Sequence, residues 1–429
     1  MKRKGILCGI IALALLAGCG KEAGTAASTE GTDVLVTEAA KESTQEVVEE
    51  AATEASAEAA AEEASEEAQP VDDGVALKDL CKDYFTLGVG INGSMPQNNT
   101  INIPQYKELS LKHFNSCTMT NLMKSGYILD QMGCQNSEDG SPVLNFMSID
   151  PTLEWCQETG MKMRGHTLVW HTQTPDWFFR VGYKDDGDYV DKETMLGRME
   201  SYIQQMLSHV QENYPGVIYC WDVVNEAVDP ESADPDSYFK CRTKIEGNDN
   251  PWFATVGQDY VEMAFTYARK YADPDVKLFY NDYNTFQVPK TEGIYDLCSK
   301  LNEKGLIDGI GMQGYWGIGY PKISEIKTAM TKFAELGLEI QVTELSVGVD
   351  EENDEWFQKQ ADKYEEIFKM IYEMDSDNGG PANITNVTLF GLVDHYREGD
   401  TTNTRIFDKN YEPKPSYFSI KSVMEEHAN

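Results

Sequence analysis

Between residues 85 and 394 the chain switches repeatedly between short apolar, β-branched runs and longer stretches with helical periodicity. That alternation restricts the fold more than any other feature. The runs fall at residues 85–92, 115–120, 162–170, 217–226, 276–282, 309–315, 338–346 and 386–394. Apolar runs of this kind suit parallel strands buried on both faces. Between Asp191, a good N-cap, and Pro215, residues Met195, Leu196, Met199, Tyr202, Ile203, Met206 and Val210 recur at helical spacing. Ile326, Ala329, Met330 and Phe333 do the same before a stop at Gly337. Eight strand–helix units predict an α/β fold closed into a (β/α)8 TIM barrel with loop insertions. A doubly wound open sheet is the alternative, and no GxGxxG or P-loop pattern favours it.

The N-terminal part has another character. Lys2, Arg3 and Lys4 precede an apolar run from Gly5 to Leu16 that is too short to span a bilayer, which reads as an export signal. It closes with Leu16-Ala17-Gly18-Cys19, which resembles a bacterial lipobox and implies removal of residues 1–18 and lipidation of Cys19. Residues 19–74 are rich in Ala, Glu, Ser and Thr and poor in aromatic residues, so they are expected to form a disordered acidic linker, with transient helix as the alternative. The expected organisation is a signal peptide at 1–18, a lipid-anchored linker at 19–74 and a folded domain at 75–429, held on the extracellular face of the bacterial cell membrane.

Of the 429 residues 41% are hydrophobic and 10% aromatic, enough for a substantial core. The formal charge of −36 with no basic stripe argues against nucleic acid as a partner. Apart from Cys8 and Cys19, seven cysteines remain, without CxxC or Cys/His clustering, which excludes a disulfide framework and a zinc site. Cys117 and Cys220, inside predicted strands, read as core residues. One bridge among the loop cysteines stays open.

Two of the runs deliver a glutamate: Trp221-Asp222-Val223-Val224-Asn225-Glu226-Ala227 and Val342-Thr343-Glu344-Leu345-Ser346. Parallel barrel strands carry such residues to one mouth. Cleaving a glycosidic bond with retention requires two carboxyl groups on opposite sides of the sugar, one protonated and one ionised. Either glutamate alone reads equally well as an ordinary strand-end carboxylate. However, Asn92, His166, Trp170, His171, Gln173, Asn225, Asn281, Asp282, Gln313, Tyr315 and Asp394 lie at or near the same strand ends. Amides, imidazoles and carboxylates bind sugar hydroxyls, and aromatic faces cover the C–H surface of the ring. Together they point to a carbohydrate site.

The segment Gly165-His166-Thr167-Leu168-Val169-Trp170-His171-Thr172-Gln173-Thr174-Pro175 resembles the third-strand motif of family 10 glycoside hydrolases, the endo-1,4-β-xylanases. The runs ending at Glu226 and Glu344 resemble that family's acid/base and nucleophile motifs. Phe279-Tyr280-Asn281-Asp282-Tyr283-Asn284 and Gly309-Ile310-Gly311-Met312-Gln313-Gly314 also fit, and the similarity runs from about residue 80 to the C-terminus. The resemblance implies a retaining clan A hydrolase of xylan, with Glu226 as acid/base and Glu344 as nucleophile. It implies sugar binding by Asn121, Lys124, His166, Trp170, Gln173, Asn225 and Gln313. Two carboxylates suffice for the chemistry, so no metal and no organic cofactor is expected. A monomer is expected. A related β-glycanase, or a weakened glycan-binding surface lipoprotein, stays open.

The departures from the family pattern are specific. Tyr315 stands where the family has a histidine that bonds the nucleophile, and Ser346 where it has the aspartate that supports that histidine. The tyrosine hydroxyl is expected to donate directly to Glu344; a stacking or space-filling role is the alternative, and Tyr315 is counted among the substrate-binding residues. Thr120 replaces a sugar-binding glutamate, Phe390 a tryptophan, and Arg397-Glu398 a Ser-Trp pair. An aromatic platform is therefore expected to be absent or moved to Trp316 or Tyr396.

Overall fold

The computed structural model describes residues 72–92, 100–395 and 403–428. The expected signal peptide, Cys19 and the linker as far as residue 71 lie outside the described residues, as do Tyr396, Arg397 and Glu398.

Eight parallel strands close into a barrel: β1 (Thr86–Ile91), β2 (Ser116–Met119), β3 (Lys162–Trp170), β4 (Ile218–Asn225), β5 (Lys277–Asp282), β6 (Gly309–Tyr315), β7 (Glu339–Ser346) and β8 (Asn383–Leu389). Each strand pairs with its neighbours in sequence, and β1 closes the ring against β8. Helices form the outer ring. The helix Lys192–Asn213 begins where Asp191 accepts a hydrogen bond from the Thr194 N–H at 2.8 Å, and it buries Met195, Met199, Tyr202, Ile203, Met206 and Val210. Ile323–Ala334 buries the Ile326, Ala329, Met330 and Phe333 stripe against the barrel.

The strand ends lie within one residue of the sequence reading except at β8, which starts three residues earlier and ends five residues earlier. Residues 390–394 are not part of β8: the chain turns away at Gly391, whose φ of +113° glycine adopts readily, and Arg405 packs where a side chain would stand. Glu226 lies one residue beyond β4. The seven cysteines among the described residues are buried free thiols, Cys117 and Cys220 in the core as expected.

Below the mouth the barrel axis is polar. Arg164 on β3 is fully enclosed, paired with Asp222 on β4, and donates from Nε to Gln341 on β7 at 2.9 Å. Burial pushes the Asp222 carboxyl up, but Arg164 and His166 together hold it below the usual aspartate range. A buried charge so matched ties three strands together across the axis.

Asp72 and Asp73, read as the end of the linker, are bound to the barrel. Asp72 accepts from the Tyr417 hydroxyl at 3.0 Å and pairs with Lys112 at 3.1 Å, and Asp73 pairs with Lys421. Partial burial pushes the Asp72 carboxyl up, yet Lys112, the Gly74 N–H and Tyr417 hold it below its ordinary value. A chain beginning at Gly74 should therefore melt roughly 1–3 °C below one beginning at Ala68, with unchanged turnover. A carboxyl with a depressed folded pKa stabilises above its unfolded pKa and loses that contribution as pH falls through the folded one. Calorimetry should accordingly find the gap at neutral pH and see it shrink in acid below the usual carboxylate range.

Candidate active site

The two glutamates reach one mouth by the same backbone device. Glu226 has φ +60° and Glu344 φ +57°, left-handed values that residues other than glycine seldom adopt. Glu226 is held there from both sides: its N–H donates to the Asn281 carbonyl at 2.9 Å, and its own carbonyl accepts from Arg242 Nε at 3.0 Å. Glu344 sits in a bulge. Gln313 pairs with Thr343 and Tyr315 with Ser346, so Gly314 alone faces both Glu344 and Leu345. A Cβ on Gly314 would lie 2.9 Å from the Leu345 Cα, so the bulge needs glycine opposite. The bulge re-aims Glu344 at the mouth.

A chain of amides joins the two acids. Asn225 donates to Glu226 Oε1 at 3.1 Å, and its own Oδ1 accepts from Asn281 at 2.9 Å. Asn281 also lies within 3.1 Å of Glu344 Oε1, with its Nδ2 as donor. Gln313 donates to Glu226 Oε1 at 3.0 Å and to Asn225 Oδ1 at 3.1 Å, and Trp170 Nε1 donates to Glu226 Oε2 at 3.0 Å. Thr343 Oγ1 donates to Asn281 Oδ1 at 2.6 Å, and the Glu344 carboxylate, which only accepts, fixes which end of that amide carries the donors. Tyr315 donates its hydroxyl to Glu344 Oε2 at 2.5 Å. The sequence placed Asn281 at a strand end without a role; its position between the two acids was the omission.

The other expected residues divide. Lys124 Nζ lies over the Trp170 ring, 4.6 Å from its centre, and donates to Asn121 at 3.3 Å, while Gln173 donates to the same Asn121 oxygen at 3.3 Å. Burial pulls the Lys124 amine down to about 8 against the opposing pull of Glu344 and Glu226. His166 is buried with Nδ1 2.8 Å from Asp222, which orients the ring. Asn92, Asp282 and Asp394 instead serve the frame: Asn92 bonds Thr152 and Thr100, Asp282 pairs with Lys290 at 2.7 Å, and Asp394 pairs with Lys414. Thr120 bonds the Asn92 carbonyl, and Trp316 is buried in the core, so it is no sugar platform. Tyr315 is 51% exposed and meets Phe390 edge-on at 5.9 Å.

Around Glu226, burial pushes the carboxyl up, but His171, Gln313, Lys290 and Trp170 outweigh it and hold it below its ordinary value. The His171 share depends on a charge that is absent near neutrality, because burial pushes that imidazole down to about 3. What remains around Glu226 there is chiefly neutral hydrogen-bond donors and a more distant ammonium.

The chain matches the model of glycosyl hydrolase family 10 over residues 76–423. It is 47% identical over 309 residues, 70% of this chain and 96% of the relative, to a protein of Caldicellulosiruptor saccharolyticus named for endo-1,4-beta-xylanase activity. To endo-1,4-beta-xylanase B of Butyrivibrio fibrisolvens it is 39% identical over 354 residues, 80% of this chain but 52% of the relative. Among solved structures, the CBM22-1–GH10 modules of Clostridium thermocellum endo-1,4-beta-D-xylanase 10B, complexed with xylohexaose, match with a TM-score of 0.74 at 35% identity, over 82% of this chain and 68% of that one. This chain spans nearly the whole of the first relative and about half of the second. With a family match over most of its length, a closed (β/α)8 barrel and two glutamates joined at its mouth, the chain belongs to glycosyl hydrolase family 10.

Proposed function

We propose that the barrel hydrolyses internal β-1,4-xylosidic bonds of xylan with retention at the anomeric carbon. The observation that carries this reading is the pair of glutamates joined through Asn225, Asn281 and Gln313 at one mouth. The relatives named for xylanase activity supply the substrate class.

In the first half-reaction a Glu344 oxygen bonds to the anomeric carbon while the bond to the leaving oxygen breaks, and Glu226 gives that oxygen its proton. Glu226 then takes a proton from water, whose oxygen attacks the same carbon and releases Glu344 as carboxylate. Two inversions give retention. A sugar bound over the pair displaces water and strengthens the opposition between the two charges, both of which raise the Glu226 pKa towards that of a working acid. Trp170, carrying Lys124 on its face, and the amides of Asn121, Gln173 and Gln313 are suited to hold a sugar beside the acid pair.

NMR of the first-formed product tests the stereochemistry: β-linked xylan should release the β anomer, and an initial α anomer would rule retention out. A reducing-sugar assay on xylan, glucan and mannan tests the substrate, with glucan or mannan cleaved faster than xylan counting against it. We also propose that Cys19 is lipidated and tethers the barrel outside the cell, in line with the lipobox-like sequence. Cys19→Ala should then abolish lipid attachment and release or mislocalise the protein without changing turnover of a small soluble substrate.

A further inference from the structure

We propose that Tyr315 and Ser346 act as one module that orients the nucleophile through a neutral hydroxyl, with Tyr315 as a positioning residue for Glu344. The proposal rests on the reading of Glu344 as nucleophile. Each oxygen of that carboxylate has one uncharged donor: the Asn281 amide at Oε1, 3.1 Å away, and the Tyr315 hydroxyl at Oε2, 2.5 Å away. The formal charges acting on this corner come from elsewhere, Lys124 and Glu226 across the mouth and Arg405 beside the tyrosine. Phe390 meets the Tyr315 ring at an interplanar angle of 88° and limits its rotation.

The strand register makes the two positions a unit. Tyr315 on β6 lies directly across from Ser346 on β7, next to the bulge that carries Glu344. A phenol needs no partner to keep its proton, and although the residue as a whole is half exposed, desolvation at its hydroxyl end together with the Glu344 charge pushes this one well above its ordinary value. An imidazole in its place would need an anion on its other nitrogen to fix the donor towards Glu344. Position 346 is where that anion would stand. With the tyrosine present, a carboxylate there has no donor to satisfy and adds a like charge near Glu344. The Ser346 hydroxyl instead turns to the Glu344 backbone carbonyl at 3.5 Å.

The coupling therefore has a sign. Ser346→Asp should lower kcat on xylan in the native background and raise it in the Tyr315→His background. Tyr315→Phe keeps the ring and its contact with Phe390, and should lower kcat by about 10–1,000-fold with KM changed by less than about threefold. Thermal melts of each variant establish folding; if Tyr315→Phe does not fold, the pair of Tyr315→His variants carries the test. Additive effects at the two positions, wild-type kcat in Tyr315→Phe, or a loss confined to KM would overturn the proposal. Glu344→Ala separates the two levels. Normal turnover in that variant removes the nucleophile assignment itself, whereas an inactive Glu344→Ala beside a fully active Tyr315→Phe removes only the positioning role.

Discussion

Glu344→Ala should slow xylan hydrolysis by roughly 10⁴-fold or more, the largest loss expected from any single substitution, while the barrel stays folded. On the reading of Glu344 as nucleophile its carboxylate forms the covalent bond to the anomeric carbon, and 10⁴-fold corresponds to about 5.4 kcal/mol of lost transition-state stabilisation. The vacated volume lies on the face from which Glu344 attacks. Azide added to the variant should enter there and, with an activated aryl glycoside, give an α-configured sugar azide. Steady-state kinetics and product NMR check both halves. Residual activity above about one per cent of wild type would require a different nucleophile.

Glu226→Ala should cost about 10²–10⁴-fold on xylan, the usual contribution of a positioned acid, and the loss should depend on the leaving group. A poor leaving group such as a sugar hydroxyl needs the proton; an acidic phenol does not. Aryl glycosides with acidic phenols should therefore still form the covalent intermediate quickly, then stall for want of a base. Azide should relieve that stall and give the β-configured product, the opposite of the Glu344→Ala outcome. The pH profile has a definite sign as well. A general acid is lost as pH rises through its pKa, so the alkaline limb of the wild type should flatten in Glu226→Ala.

The barrel was legible because eight buried apolar runs, each followed by a periodic helix, admit few other arrangements, and the runs largely match the strands found. Glu226 and Glu344 were legible for the same reason, since strand ends are where a barrel exposes chemistry. What stayed hidden depends on register and local backbone. Periodicity cannot reveal that Gly314 faces two residues of β7, nor that Asn281 therefore lies between the two acids. The turn at Gly391 shortened β8 because an otherwise strand-like run meets a φ of +113° there. Trp316 looked available as a sugar platform from its position just past β6, but the chain folds it into the core. The docking of Asp72 and Asp73 leaves no mark in the local sequence because their partners, Lys112, Tyr417 and Lys421, are far away along the chain. The Tyr315 bond was readable, since strands six and seven must be neighbours in a closed barrel.

The left-handed backbone at both acids implies that this protein is less stable than its scaffold allows. A non-glycine residue in that region costs on the order of 1 kcal/mol, and each buried carboxylate adds the cost of leaving water. On the reading of both as catalytic, turnover requires glutamate where conformational preference would choose glycine. Glu344→Gly, although inactive as a hydrolase, should then melt above both the wild type and Glu344→Ala, since only glycine relieves the backbone as well as the charge. An inactive protein more heat-resistant than its active parent would give a direct reading of what the fold gives up to hold Glu344 in place.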